Sequence, residues 1–523
     1  MIQFPKINGR IRLGSGVFVL PDRLCVQLGD FAPWCVEVFC LRLGLEPAEG
    51  SPWLRLRRDP ACPEEGYLLE VTEQGITVEA GTEQGVIRAL TTVYLRAAEG
   101  RALDCCVIRD APRYAHRGQS LDSVRHFFPV EEVEKLLEQM SLVKMNVLHF
   151  HLSDDQGWRI ESRRFPELHS VNPDFYTREQ LRQLVEYARI RGIEIVPEID
   201  LPGHTTAILA AFPQLGCTGH RPALATAGGI YTTILCAGKE EVYSFLEQML
   251  EEVCGIFPGK RFHIGGDEAP KQQWKACPHC RAAMETWGCK DFEALQGQFT
   301  RRVAEILKTL GKTPICWSET LKGWPQPEDM QIQYWSMDGL EQMQRYAGAG
   351  GRYIYSYMCE LYLDYPYSMT NVKKLYTLRP HIWTRRCETD PGLLGLESTL
   401  WAEHIAEAIS LQEHLYPRMY IVAEKAWSGG HEGYGAFLDS LRKLCALAET
   451  RGIRPMPEAR WNPKGSGRRE EALDFFTKMN GGVLEEVPEN QAPAETDLRI
   501  MFDYVRRFFR VTDLIALAKL YFR

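Results

Sequence analysis

The sequence predicts an α/β protein: a (β/α)8 barrel of the TIM type, preceded by a small α+β domain and followed by a helical C-terminal extension. Three observations predict it. At 523 residues the chain exceeds one ordinary core, yet leaves room for a barrel of about 250 residues or more with accessory units. Between residues 108 and 430, short strand-like runs alternate with segments of helical spacing, the pattern of a parallel sheet wrapped by helices. Eight such runs can be read, and many end in carboxylates, histidines or aromatic residues.

Residues 1–107 form the small domain. Over 67–80, YLLEVTEQGITVEA alternates apolar and polar residues on both sides of a Gly-containing turn, which predicts a hairpin. GVIRALTTVYLRAAEG, 85–100, then switches to helical spacing, and Asp110, Ala111 and Pro112 mark the exit. Barrel strands are predicted at 116–122, 145–152, 193–200, 261–267, 313–319, 330–336, 352–357 and 393–401. A helix follows Pro129, with Val130, Val133, Leu137 and Met140 on one face. The next is bounded by a capping box at Thr177 and Gln180 and by Gly192, and carries the stripe Leu181, Leu184, Val185, Ala188. No helix is readable after the seventh strand. Residues 431–523 read as a helix, a Pro- and charge-rich stretch over 454–470, and further helical sequence ending in FDYVRRFFRVTDLIALAKLYFR. That tail, apolar on more than one face, is expected to pack on the barrel or on a second copy in a homodimer.

A formal charge of −8, a pI near 6.0 and the lack of a basic stripe exclude nucleic acid as a partner. No apolar run is long enough to span a bilayer, and the N-terminus does not read as a signal peptide. With sixteen scattered cysteines, among them the neighbours Cys105 and Cys106, a cytoplasmic protein is expected. Cys277 and Cys280 have ligand spacing for zinc, but no second C-x-x-C follows, and Cys289 and His279 would be needed to complete a site. No cofactor or metal is expected.

In a barrel of this kind the active site lies at the C-terminal ends of the strands. Arg117 and Asp122 belong to the first strand, His151 and Asp154 to the second, Asp200 and His204 to the third, Asp267 and Glu268 to the fourth. Later segments contribute Trp317, Glu319, Trp335, Tyr362, Asp364, Trp401 and Glu403. In HIGGDEAP, 263–270, alternation turns Phe262 and Ile264 toward the helices and His263, Gly265 and Asp267 into the barrel, with Glu268 at the rim. Gly265 and Gly266 would leave room for a ligand beside the backbone. Flat aromatic walls around carboxylates suit a pyranose ring, and a carboxyl pair points to glycoside hydrolysis.

These residues resemble glycoside hydrolase family 20, the β-N-acetylhexosaminidases. HRGQSLDSVRHF (116–127), LHFHLSDDQGWRIE (148–161), PEIDLPGH (197–204), HIGGDE (263–268), YLD (362–364) and LWAE (400–403) carry the resemblance, which runs from about residue 60 to 429. It implies an exo-acting enzyme that removes terminal β-linked GlcNAc or GalNAc from oligosaccharides by a substrate-assisted retaining mechanism. Glu268 would be the acid/base, Asp267 would orient the 2-acetamido nucleophile, and Tyr362 would hydrogen-bond its oxygen. Asp154 and His204 would relay to the acid, Arg117, Asp364 and Glu403 would bind sugar hydroxyls, and Trp317, Trp335 and Trp401 would wall the sugar. Three alternatives stand beside this reading: a disaccharide-releasing enzyme of the same family, a metal-dependent hydrolase using His149, His151, His204, His263 and Asp267, and a non-catalytic sugar-binding protein.

Overall fold

Eight short parallel strands close into a barrel in a computed structural model that describes residues 2–325, 327–430, 433–479 and 508. In chain order they are His116–Asp122, Val147–His151, Glu194–Glu198, Arg261–His263, Thr313–Trp317, Gln331–Tyr334, Tyr353–Tyr355 and Leu393–Ser398, and the eighth pairs with the first. Each falls inside its predicted segment. Helices Val130–Leu142, Arg178–Arg189, Glu240–Cys254, Phe292–Thr309 and Arg418–Trp427 follow the first, second, third, fourth and eighth strands. After the fifth strand a 3-10 turn, Ser318–Lys322, replaces the helix. After the seventh come two short helices, Met358–Leu361 and Val372–Tyr376, which explains why no long helical pattern is legible there. The predicted capping box is present: Gln180 N–H donates to Thr177 Oγ1, and Thr177 N–H to Gln180 Oε1. No described helix is long and apolar enough to cross a membrane.

Alternation sorts the strand side chains into two environments. Leu148 and Phe150 join the large outer core under the helices, whereas Val147, Val196, Ile315 and Ile354 form a separate apolar layer inside the barrel. The next inward positions are polar. His149 Nδ1 lies 2.8 Å from Glu397 Oε1, His263 Nδ1 2.8 Å from Glu198 Oε1, His151 Nδ1 2.5 Å from Glu198 Oε2, and Trp317 Nε1 donates to Glu198 Oε1 at 2.9 Å. Buried charge is tolerated only when paired. Burial alone would lower the histidines, but Glu198 and Glu397 raise His149 to about 9, and Glu198 with Asp154 raises His151 to about 10. Glu198 is held well below the usual carboxylate range against its own desolvation by His263, His151 and His149. The imidazoles considered as metal ligands are thus engaged with carboxylates in the barrel interior.

The N-terminal sheet has six strands, in the order Arg10–Val19, Ala102–Asp110, Tyr67–Thr72, Gly75–Ala80, Leu54–Arg58, Val26–Gln27. The predicted hairpin is there, pairing from Tyr67↔Ala80 to Thr72↔Gly75. Helix Glu83–Ala97 starts at Thr82, whose side chain accepts from Gly85 N–H. The strand Ala102–Asp110 carries the sheet past the expected limit at residue 107.

Glu65 ties this domain to the barrel. Its Oε2 accepts from Arg88 Nε at 2.7 Å and Arg117 Nη2 at 2.5 Å, and its Oε1 from Asn146 Nδ2 at 2.8 Å. The two arginines hold its carboxyl at about 2 although burial alone would raise it.

Beyond the barrel, helices Tyr434–Glu449 and Gly465–Met479 belong to the extension. The expected apolar tail lies outside the described residues, apart from Phe508. Phe475 and Phe508 both pack on Tyr365, with ring centroids 5.1 and 5.8 Å away.

Candidate active site

The fourth strand ends at His263, four residues sooner than strict alternation to Asp267 requires, and the chain then turns sharply. Gly265, Gly266 and Glu268 all have positive φ, at 61°, 102° and 45°. A Cβ on Gly265 would lie 1.7 Å from Asp200 Oδ1, and one on Gly266 2.7 Å from Thr320 Oγ1. These glycines therefore make room for the protein's own Asp200 and Thr320, not for a ligand as the sequence suggested. Asp200 Oδ1 accepts Gly266 N–H at 2.9 Å and fixes the turn.

The turn separates the two carboxylates by environment. Asp267 is buried, and its Oδ1 has no hydrogen-bond partner among the described residues. Burial, with Asp200 adding like charge, pushes its carboxyl well above the usual range. Burial also raises Asp200, to about 8. Glu268 is more open, its side chain 33% exposed, and Glu319 Oε2 accepts its N–H at 2.8 Å. Left-handed backbone at a non-glycine residue costs roughly 1–3 kcal/mol and concentrates at functional sites. His204, 3.6 Å from Glu268 Oε2 through Nε2, shares that conformation, with φ 52°.

Behind His204 stands Asp154, whose Oδ1 is 3.1 Å from His204 Nδ1. Despite the desolvation of both, Asp154 is held well below the carboxylate range by Arg125 and His204, and His204 well above the ordinary imidazole value by Asp154. The second, third and fourth strand ends thus bring Asp154, His204 and Glu268 into one line.

Aromatic rings form the wall. Trp317 meets Trp335 edge-on at 6.5 Å and Trp401 at 5.9 Å, and Tyr362 stacks on Trp335 at 6.2 Å with planes 11° apart. Tyr362 also meets Tyr365 edge-on at 5.8 Å, so the extension packed on Tyr365 backs this wall. Trp335 Nε1 and Asp364 Oδ1 are buried without a partner among the described residues, as is Asp267 Oδ1. Buried polar atoms are normally satisfied, so such a group calls for a polar ligand. Burial raises Asp364 and Glu403, and the Glu403 charge adds to the effect on Asp364.

Arg117 is elsewhere. Near the start of the first strand, its guanidinium points to the base of the barrel, where Nε donates to Lys144 O at 2.9 Å, Nη1 to Tyr114 O at 2.8 Å and Nη2 to Glu65. The arginine at the mouth is Arg125, eight positions later in the same motif. Its Nη2 is 2.7 Å from Asp154 Oδ2, its guanidinium lies 5.1 Å from the Trp401 ring centre, and its Nε has no hydrogen-bond partner among the described residues. Asp122, at the end of the first strand, holds it in place by accepting Arg125 N–H at 3.1 Å and Ala402 N–H at 3.0 Å. The signal that could have found Arg125 is strand polarity: a residue beyond the strand's C-terminal end is at the mouth, one at its start is not.

The arrangement joins a half-open carboxyl backed by a His–Asp pair, a second buried carboxyl and an aromatic box at the mouth of a barrel. Comparison with known proteins agrees with it. Residues 114–430 match the profile of "Glycosyl hydrolase family 20, catalytic domain" and residues 40–111 that of "Glycosyl hydrolase family 20, domain 2". The chain is 32% identical over 463 residues to a β-hexosaminidase of Porphyromonas gingivalis, covering 82% of this chain and 59% of that protein. A β-N-acetylhexosaminidase of Bacteroides fragilis superposes with a TM-score of 0.78 at 29% identity, covering 87% of this chain and 97% of the other. An exo β-N-acetylglucosaminidase of Vibrio harveyi, solved in complex with N-acetylglucosamine, superposes at 0.76 with 27% identity over 87% of this chain and 78% of its own. The chain belongs to glycosyl hydrolase family 20.

Proposed function

We propose that the chain is an exo-acting β-N-acetylhexosaminidase that releases terminal non-reducing β-linked GlcNAc or GalNAc from oligosaccharides with retention of configuration. The observation that carries this reading is the Asp154–His204–Glu268 line, with Asp267 beside it and the tryptophan box around them. The Vibrio harveyi relative, by its description an exo-acting enzyme that binds N-acetylglucosamine, supports the substrate class.

Glu268 donates its proton to the glycosidic oxygen as the C1–O bond breaks. The carbonyl oxygen of the 2-acetamido group attacks C1 and closes an oxazolinium ring. Asp267 accepts the acetamido N–H, and Tyr362 donates to the acetamido oxygen. Both orient the nucleophile. Burial beside Asp200 makes the Asp267 carboxylate costly to hold, and the positive charge of the closing ring offsets that cost. Water then opens the ring with Glu268 as base, and the acetamido group is restored. Asp364 and Glu403 accept sugar hydroxyls. Arg125 takes the sugar-facing role that the sequence reading had given to Arg117. Short oligosaccharides in the cytoplasm are the substrates we propose.

Two substrates test the mechanism, because the acetamido group is both nucleophile and recognition element. A nitrophenyl β-N-acetylglucosaminide should be turned over and the matching β-glucoside left nearly untouched, while a thiazoline mimic of the cyclic intermediate inhibits tightly. Equal turnover of both glycosides would exclude substrate assistance. Tetra-N-acetylchitotetraose should yield monosaccharide and trisaccharide first, and initial conversion to disaccharide alone would overturn the exo-monosaccharide assignment.

A further inference from the structure

Four cysteines from two barrel loops meet outside the catalytic pocket. Cys217 follows the 3-10 turn Pro213–Leu215, Cys236 precedes helix Glu240–Cys254, and Cys277 and Cys280 stand at the start of helix Pro278–Trp287. Their four sulfurs lie within 4.8 Å of one another, and Cys236, Cys277 and Cys280 are buried. Individual separations are 3.7 Å for Cys217–Cys280, 3.7 Å for Cys236–Cys277 and 3.6 Å for Cys236–Cys280. A disulfide requires about 2.05 Å between sulfurs. Four sulfurs at the usual zinc–sulfur distance of about 2.3 Å form a tetrahedron with edges of about 3.8 Å. The observed spacings match the tetrahedron.

We propose that Cys217, Cys236, Cys277 and Cys280 form a tetrathiolate site for a structural zinc ion that staples the loop after the third barrel strand to the loop after the fourth. Soft thiolates in tetrahedral array select zinc among abundant divalent ions, and a fourth protein ligand closes the site to chemistry. The backbone is built for this approach. Gly238 N–H donates to the Cys236 sulfur, and a Cβ on Gly238 would lie 2.1 Å from His279 O, so the loops close this tightly only with glycine there. Trp274 Nε1 donates to Leu235 O at 2.8 Å and joins the loops again beside the cluster. The partners first considered for Cys277 and Cys280 are replaced: His279 is exposed on the helix and Cys289 lies outside the group, whereas Cys217 and Cys236 arrive from the preceding loop.

The staple bears on the mouth of the barrel. The loop holding Cys217 and Cys236 also carries Ala225, whose N–H donates to Asp155 O at 3.1 Å, and Gly228, where a Cβ would meet Glu403 Cγ at 2.8 Å. The other loop carries Asp267 and Glu268 near its start. The ion would set the spacing between these two walls without touching substrate.

Metal analysis of the full chain, expressed with zinc available and dialysed against metal-free buffer, should find about one zinc per chain. Cys236→Ser and Cys277→Ser should each lose it, while Cys289→Ser keeps it. Cobalt(II) in place of zinc should give the intense near-ultraviolet sulfur-to-cobalt absorption of a tetrathiolate, a readout that needs no variant to fold. A metal-free chain, a disulfide among these four cysteines by mass spectrometry, or iron instead of zinc would overturn the proposal. None of these readouts depends on the catalytic assignment.

Discussion

Replacing Arg117 and Arg125 separately tests whether the two arginines of HRGQSLDSVRHF do different work. In Arg117→Met the hydrophobic stem is kept and a fully buried guanidinium is removed. Three carbonyls, Lys144 O, Tyr114 O and Ala115 O, lose a donor, and Glu65 loses one of two arginines. Breaking a buried ion pair costs about 3–5 kcal/mol when the remaining charge is left alone. Glu65 keeps Arg88 at 2.7 Å and Asn146 at 2.8 Å, so the lower end, about 3 kcal/mol, is expected. For a barrel-sized domain this lowers Tm by roughly 6–12 °C. Differential scanning calorimetry reads the shift. Steady-state kinetics at low temperature, on a nitrophenyl N-acetylglucosaminide, should find KM and kcat within about twofold of the parent. Arg125→Met should differ by raising KM as well as lowering Tm, because it removes an arginine at the mouth that also pairs with buried Asp154 at 2.7 Å. An Arg117→Met enzyme that melts normally and has a KM raised about tenfold or more would refute the assignment and return Arg117 to the sugar.

Glu268→Gln should lower kcat/KM by roughly 10²- to 10⁴-fold on a natural oligosaccharide and much less on an activated aryl glycoside, whereas Asp267→Asn should impair both alike. Equal penalties for Glu268→Gln on the two substrates would contradict its role as acid. Asp154→Asn removes the carboxylate that holds His204 protonated, so the pH profile of kcat/KM should move, with a decrease on the order of 10- to 100-fold at neutral pH. An unmoved profile would reduce Asp154 to a structural group. Alkali should weaken the fold: the stabilisation from His149 and His151 is complete below their unfolded value near 6.5 and fades as pH rises through about 9 and 10. Tm followed from pH 7 upward should fall across that window, and a flat curve would show that these imidazoles are not charged in the native state. Gly265→Ala puts a Cβ into Asp200 at a left-handed position, and should abolish activity or folding; a fully active variant would disprove the turn geometry.

Much of the barrel is legible from the sequence because its physics is local. A buried parallel strand must be apolar toward the helices whatever the rest of the chain does, so segments such as MNVLHFHL and IEIVPEID announce themselves, as do the hairpin over 67–80 and the Thr177 cap. Polar strand ends mark the mouth for the same reason. The sequence also shows by omission where the ring is irregular, since the short helices after the seventh strand cannot carry a long apolar stripe.

Tertiary structure decided what depends on partners distant in the chain. Glu65 and Arg117 are 52 residues apart, and that contact, invisible to any local pattern, turns a motif arginine into the anchor of the N-terminal domain. Gly265 looks like space for a ligand until Asp200, just past the end of the third strand, occupies it. Cys277 and Cys280 look like half a site until Cys217 and Cys236 arrive from a loop 41 to 63 residues earlier. Chemistry at the mouth has the same character: Asp154 and His204 are 50 residues apart, and their opposite pKa shifts arise only when the two share a buried, low-dielectric space. Periodicity is set by the backbone of one segment, so sequence records it; electrostatics and steric closure are set by whatever the fold brings within a few ångströms.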